Sequence, residues 1–204
     1  MLKLITTKLA SLPIERIQPV DDELGEAAIL LALVNDPENP KIILTKRAEH
    51  MNSHRGEVAF PGGKWDEGDA DLLMTALREA EEEIGLSSEC VEVIASLPVY
   101  FTRHNMRVKP YVGLIAEGLA LKANPDELDA VFDVPLQYFL DHSNLTVDHF
   151  VGPDYSLRMP CYIYQGYRIW GFSLVVLADF LNLTLNAGIK LHYPDRENLR
   201  PDIN

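Results

Sequence analysis

Residues 62–86 read GGKWDEGDADLLMTALREAEEEIGL, and the spacing of the acids in this stretch decides how the chain is read. Glu79, Glu82 and Glu83 stand at i, i+3 and i+4. At about 100° per residue these three share one face of a helix. Leu73, Leu77, Ala80 and Ile84 fall on the opposite face, which can dock on a core. Like charges so placed cost roughly 0.2–0.5 kcal/mol per pair in an isolated helix. A hard divalent cation, Mg²⁺ or Mn²⁺, prefers oxygen ligands and would offset that repulsion.

An acidic helix face by itself reads equally well as a solvated surface. The residues before it shift the balance. Phe60-Pro61-Gly62-Gly63 is a turn signal directly after the strand-like Glu57-Val58-Ala59. Paired glycines let a backbone take positive φ or approach a ligand closely. Asp69 or Asp71 supplies the helix N-cap, and Gly85 stands where a C-cap glycine belongs.

Outward from this segment, residues 27–34 form a continuous apolar run ending at Asn35-Asp36-Pro37, the pattern of a buried strand. Residues 41–45 pair with it as a hairpin, and 57–60 form a short strand. Further strands are expected at 90–100, 109–116 and 162–165. Ile169-Trp170-Gly171-Phe172-Ser173 ends a strand, and Ser173 caps a last helix running to about Asn186. Residues 1–24 are weakly patterned, a short helix before Pro13 and then a loop. Strands mixed with two main helices give an α/β arrangement with helices packed on a mixed sheet. No repeats or linker-like tracts interrupt it, so residues 1–204 are read as a single domain with an N-terminal extension over 1–24.

The chain has 204 residues, 47 % apolar and 24 % charged, a composition suited to one globular core. Its formal charge of −13 argues against nonspecific nucleic-acid binding, which needs basic surface. An anionic substrate would be repelled at long range, so a metal and local arginines must reverse the field at the site. Cys90 and Cys161, the two cysteines, are in no paired motif and read as small buried hydrophobes. No segment has the roughly 18 apolar residues of a membrane span, and the first residues make a poor signal peptide. A cytoplasmic location with no membrane partner is expected. An exposed edge over 162–172 would suit a homodimer.

The segment Arg78-Glu79-Ala80-Glu81-Glu82-Glu83-Ile84-Gly85-Leu86 resembles the Nudix box, at about 63–86, in which a glycine and a loop acid precede Arg-Glu-apolar-x-Glu-Glu-x-Gly-apolar. Asp69 stands for the usual glutamate, with one extra residue before Arg78. That departure is similar to the coenzyme A pyrophosphatase branch of the family. A second motif of the branch matches Leu44-Thr45-Lys46-Arg47-Ala48 and His54-Arg55-Gly56-Glu57-Val58-Ala59-Phe60-Pro61-Gly62-Gly63. Between them the branch carries leucine and arginine where this chain has Met51 and Asn52. Met for Leu keeps an apolar shape, whereas Asn for Arg removes a charged fork suited to phosphate. Arg55 or Lys46 would have to replace it. Pro125-Asp126-Glu127-Leu128 up to Val134-Pro135-Leu136 looks like a late segment of the family, in which a glutamate precedes Val-Pro-Leu.

The resemblance implies a Nudix-type α/β/α sandwich with a mixed β-sheet and a Mg²⁺- or Mn²⁺-dependent pyrophosphohydrolase acting on a CoA-like nucleotide. Its products would be 3′,5′-ADP and (acyl-)4′-phosphopantetheine. Glu79 and Glu83 are the first choice as metal ligands, with Glu82 a third ligand or a water-orienting base. Arg78 at i and Glu82 at i+4 form a pair that fixes the Glu82 rotamer. Glu127 is a late acid, base or accessory ligand. Arg47 and Arg55 are candidates for substrate phosphates, His54 accompanies them, and Gly62 and Gly63 bring backbone close to metal or pyrophosphate. Thr102-Arg103-His104-Asn105 could form a substrate loop. Trp65 is expected at the pocket wall and Trp170 in the core. Hydrolysis of another nucleoside diphosphate derivative, such as ADP-ribose or NADH, is the alternative within the fold. A nucleotide-binding domain without turnover is a third reading, against which the intact Glu79/Glu82/Glu83 set argues.

Overall fold

The apolar run is the strand on which the main sheet is built. In the computed structural model, which describes residues 1–19, 25–51, 54–103, 105–152 and 155–193, β1 (Glu26–Val34) is buried along nearly its whole length. A strand covered on both faces has no need of alternation, which explains its unbroken Ala, Ile, Leu and Val. The chain gathers into two compact units, residues 1–136 and 137–204, where the sequence leads to one domain. Each is described by itself.

In the first unit α1 (Leu2–Leu9) precedes β1. β2 (Lys41–Arg47) runs antiparallel to β1, with Leu33 opposite Ile42 and Val34 opposite Lys41. β3 (Val58–Ala59) pairs with β2. β4 (Gly62–Lys64) then pairs antiparallel with β1, Ala28 opposite Gly63 and Ile29 opposite Gly62. The glycine pair expected as a turn is therefore a strand, entered through a Leu30 N–H donated to the Pro61 carbonyl at 2.8 Å. After α2 (Leu72–Ile84) come β5 (Val91–Ser96), β6 (Tyr100–Phe101), β7 (Arg107–Ile115) and β8 (Leu128–Pro135). β7 lies parallel to β1 from Glu26 and Arg107 to Val34 and Ile115. β5 and β6 flank β7, and β8 flanks β2, all antiparallel. One parallel pair among antiparallel ones makes the sheet mixed, and the parallel pair requires the long crossover that includes α2.

Helix α2 is capped as its sequence implies. Asp71 Oδ1 accepts the Met74 N–H at 2.9 Å, which settles the choice between Asp69 and Asp71. Gly85 takes the left-handed conformation (φ 67°) that ends the helix. Leu72, Leu73, Ala76, Ala80 and Ile84 pack with Ala28, Leu30, Ala32 and Tyr111 of the sheet, and Leu77 is partly buried there. Each fully buried Leu or Ile of this face contributes about 1.5–3 kcal/mol.

The N-terminal extension is strapped to the sheet. The Ser96 N–H and hydroxyl donate to the Pro13 carbonyl, each at 3.1 Å, and Ser96 Oγ accepts the Glu15 N–H. Tyr111 donates its hydroxyl to the Glu15 carbonyl at 2.8 Å. Lys109, 1 % exposed, pairs with the Glu15 carboxylate. At the start of α2, Leu72 N–H donates to the Ile17 carbonyl, and Arg16 pairs with the capping Asp71 at 3.2 Å.

The second unit begins within α3 (Leu136–Leu140) and continues through β9 (Leu145–Gly152), β10 (Tyr155–Tyr164) and β11 (Tyr167–Trp170), an antiparallel sheet in the order β11-β10-β9. The short strand expected at 162–165 is thus the end of a longer one. α4 (Gly171–Leu185) begins two residues before Ser173, which is buried inside the first turn, and the N-cap is Trp170. Trp170 is half-buried and stacks on Phe150, ring centroids 4.1 Å apart. Cys161 is buried as expected, but Cys90, on an exposed turn, is not. No helix among the described residues is long and apolar enough to cross a membrane.

Candidate active site

The acids of α2 have three different surroundings. Glu83 faces inward, 5 % exposed, and Oε2 accepts the Gly62 main-chain N–H at 3.0 Å. Gly62 has φ +148°, and a Cβ there would collide with the Ala28 carbonyl oxygen and sit 2.6 Å from Ile29 Cα. Only glycine allows β4 to lie so close to β1 and aim its N–H at the helix. Glu79 is half-buried beside Gly63, and any Cβ on Gly63 would collide with the Glu79 carboxylate. Glu82 is outermost, with its side chain 57 % exposed.

Arg78 ties these acids to the loop before the helix. Its Nε and Nη2 donate to the two carboxylate oxygens of Asp69 at 2.9 and 3.0 Å, a bidentate fork. Nη1 donates to Glu82 at 2.9 Å, while Nη2 also reaches Glu79 at 3.0 Å and the Lys64 carbonyl at 3.1 Å. The i, i+4 pair expected between Arg78 and Glu82 is therefore one branch of a larger node. Burial would raise the Asp69 carboxyl, but hydrogen bonds from Arg78, Thr75 and the Asp66 N–H outweigh it and hold Asp69 below its ordinary range. Trp65 donates its indole N–H to the Asp69 carbonyl at 3.0 Å and packs at the edge of the core, a buttress of this loop.

Charge accumulates where the helix meets β4. Burial, followed by the charges of Glu79 and Glu127, pushes the Glu83 carboxyl up to about 7, against the pull of Gly62 N–H and Arg47. Burial also raises Glu79, with Glu82 and Glu127 adding to it and Arg78 opposing. Glu127, at the entrance to β8, thus acts on both carboxylates and Arg47, at the end of β2, on Glu83, and Arg47 stands opposite Leu128 across the strands.

Other residues singled out by sequence lie apart from this group. His54 is exposed and bonds Glu57 through Nδ1 at 2.9 Å. Arg55 is exposed beside it. Neither shares a hydrogen bond or ion pair with Glu79, Glu82 or Glu83 among the described residues. Lys46 is held by Glu49 and Asp129 at 2.9 and 3.1 Å. Asn52 and His104 lie outside the described residues. Asp69 as partner of Arg78, and Asn124, whose N–H donates to the Glu83 carbonyl at 2.8 Å, escaped the sequence reading. The Asn-Pro-Asp turn sequence after the strand expected at 109–116 is the only signal for the latter.

All donors in this group are oxygens, and half-dry carboxylates with raised affinity for protons suit a hard divalent cation. Among the described residues no three acidic or histidine side chains converge closely enough to cage an ion alone.

A NUDIX domain family model matches residues 25–145. The uncharacterized Nudix hydrolase NudL of Salmonella paratyphi B is 38 % identical over 165 residues, 81 % of this chain and 84 % of its own length. NudL of Salmonella newport matches to the same extent. A crystal structure of a MutT/nudix family protein from Enterococcus faecalis covers 83 % of this chain and 63 % of its own, at 18 % identity and a TM-score of 0.50. That last likeness is one of fold.

Proposed function

This chain belongs to the Nudix family and is a hydrolase, and on that premise we propose that it cleaves the diphosphate of coenzyme A or acyl-CoA with a divalent metal. The observation that carries the reading is the bond from Gly62 N–H to Glu83. It joins the end of the segment resembling the CoA motif to the carboxylate helix, which supports assigning both to one site.

Glu79 and Glu83 would hold Mg²⁺ or Mn²⁺, with Glu82 a third ligand or the group that orients water. When bound, the metal neutralises non-bridging phosphate oxygens and lowers the pKa of a bound water. Arg78 holds Glu82 in one rotamer, leaving a carboxylate oxygen to accept a proton from that water. Glu127 is the second candidate for this proton, or an accessory ligand. Arg47, on the Glu83 side, and Arg55, on the loop before β3, are assigned to the substrate phosphates, with His54 beside them. Gly62 and Gly63 keep the floor of the site free of side chains.

One observation favours the alternative substrates. Lys46 is already engaged by Glu49 and Asp129, so it does not replace the phosphate-binding cation absent at Asn52. ADP-ribose or NADH would make no demand on that position. The deciding experiment incubates the protein with Mg²⁺ or Mn²⁺ and CoA, acetyl-CoA, ADP-ribose or NADH, and resolves the products. Release of 3′,5′-ADP from CoA is expected; turnover of ADP-ribose or NADH alone would overturn the CoA assignment. Two free thiols, Cys90 and Cys161, accord with the proposed cytoplasmic location, and β11, an edge of its sheet, with the proposed homodimer.

A further inference from the structure

We infer that Asn124 and His50 are positioning residues that lock the turn Asn124-Pro125-Asp126-Glu127 between α2 and β2 and so present the Glu127 carboxylate to Glu79 and Glu83. The inference rests on the reading of α2 as a metal-binding helix.

The turn is anchored on the helix first. Asn124 N–H donates to the Glu83 carbonyl at 2.8 Å and Lys122 N–H to the Ile84 carbonyl at 3.0 Å. These are carbonyls that the end of an α-helix leaves without partners. The turn then closes on Asn124 itself. Its carbonyl accepts the N–H groups of Glu127 (3.1 Å) and Leu128 (2.8 Å), and its side-chain Oδ1 accepts that of Asp126 (3.2 Å). Pro125 fixes its own φ between them.

On the other side the anchor is the segment that leaves β2. Ala48 N–H donates to the Glu127 carbonyl at 2.8 Å. His50 Nε2 lies 3.1 Å from the Asp126 carbonyl, and since a carbonyl only accepts, the proton is on Nε2. All four main-chain polar groups of Asp126 and Glu127 are thereby held. The Glu127 carboxylate, in contrast, has no hydrogen bond or ion pair among the described residues, while its charge is felt at both Glu79 and Glu83. A fixed backbone with an uncommitted head group is what a functional carboxylate requires, since a small misplacement forfeits much of its effect.

The test compares Asn124→Ala, His50→Ala and Glu127→Gln, each alone and each anchor variant combined with Glu127→Gln. Three readouts are taken: kcat and KM, Mn²⁺ affinity of the substrate-free protein by electron paramagnetic resonance, and Tm. Each anchor variant should lower kcat by ~10-fold with KM little changed. Mn²⁺ binding should weaken in parallel with no comparable fall in Tm. Asn124→Asp, which keeps the acceptor, and His50→Gln, which keeps a donor, should restore both. In the Glu127→Gln background the anchor variants should have no further effect. Additive losses there, or losses that follow Tm alone, would overturn the inference. If Asn124→Ala fails to fold, the His50 series decides by the same criteria. If Glu127→Gln changes neither kcat nor Mn²⁺ affinity, the positioning inference falls while the hydrolase reading stands. If the wild type cleaves none of the four substrates, the proposed function falls, and Mn²⁺ affinity still tests the turn.

Discussion

Gly63 faces Glu79 with no room between its Cα and that carboxylate for even one more carbon. The obstacle is the end of a flexible side chain, so Gly63→Ala would fold and displace Glu79. We expect a stability change under about 1 kcal/mol but at least ~10-fold losses in Mg²⁺ affinity and kcat. Isothermal titration with Mg²⁺ and a steady-state assay check this. Unchanged Mg²⁺ affinity would remove Glu79 from the metal site.

Gly62→Ala should behave oppositely. There the obstacles are main-chain atoms of Ala28 and Ile29, and φ is +148°, which alanine tolerates poorly. Nothing nearby can swing away, so we expect a loss of at least about 2 kcal/mol in denaturant unfolding. A variant as stable as the wild type would mean that β4 can move off β1.

The Glu83 carboxyl, raised to about 7 from an ordinary 4.5 chiefly by burial, makes the metal-free protein sensitive to pH. A folded-state value above the unfolded one means that folding favours the neutral acid. That contribution is complete below 4.5 and is lost as pH rises through about 7. Metal binding requires the ionised form. The Tm of the metal-free protein should therefore fall between about pH 5 and about pH 8, and the increase in Tm on adding Mg²⁺ should grow over the same interval. Glu83→Gln should flatten both trends and lower kcat by at least ~10²-fold. An Mg²⁺ effect of equal size at both ends of the range would contradict the assignment.

Arg78→Lys is not a conservative change here. The Asp69 side chain is 1 % exposed and takes both arms of the guanidinium, a geometry that an ammonium cannot reproduce. Leaving that carboxylate half-satisfied should cost about 2–3 kcal/mol. Glu82, released from its i+4 partner, should also lose its fixed rotamer, so kcat should fall even below the melting transition. Thermal unfolding and activity at low temperature separate the two effects, and full activity in the folded variant would limit Arg78 to a structural part.

What could be read without coordinates was what local chemistry encodes. The limits of α2 followed from Leu73, Leu77, Ala80 and Ile84 with an aspartate and a glycine at the ends, all determined within a few residues. β1 was legible for a similar reason, since eight apolar residues in a row leave few choices. The failures concern partners distant in sequence. Gly62 and Gly63 look like a turn because nothing local reveals β1 opposite them. Asp69 looks like a cap until Arg78 is seen to fold back over nine residues. Ser173 looks like a cap because a hydroxyl beside a glycine usually is one, yet α4 starts earlier and buries it. Glu79, Glu82 and Glu83 were identifiable as a set, but their division into one buried, one intermediate and one exposed acid depends on β4 and Arg78.

The pairing of Lys109 with Glu15 sets a boundary that the family's characteristic segment does not. Residues 25–145 carry the recognisable domain, but a fragment trimmed to those limits would take from the Lys109 ammonium its partner Glu15, and from Tyr111 and Ser96 their acceptors in the strap. The length of chain that can be recognised and the length that can be expressed as a stable protein are therefore different, and the second must begin before Pro13.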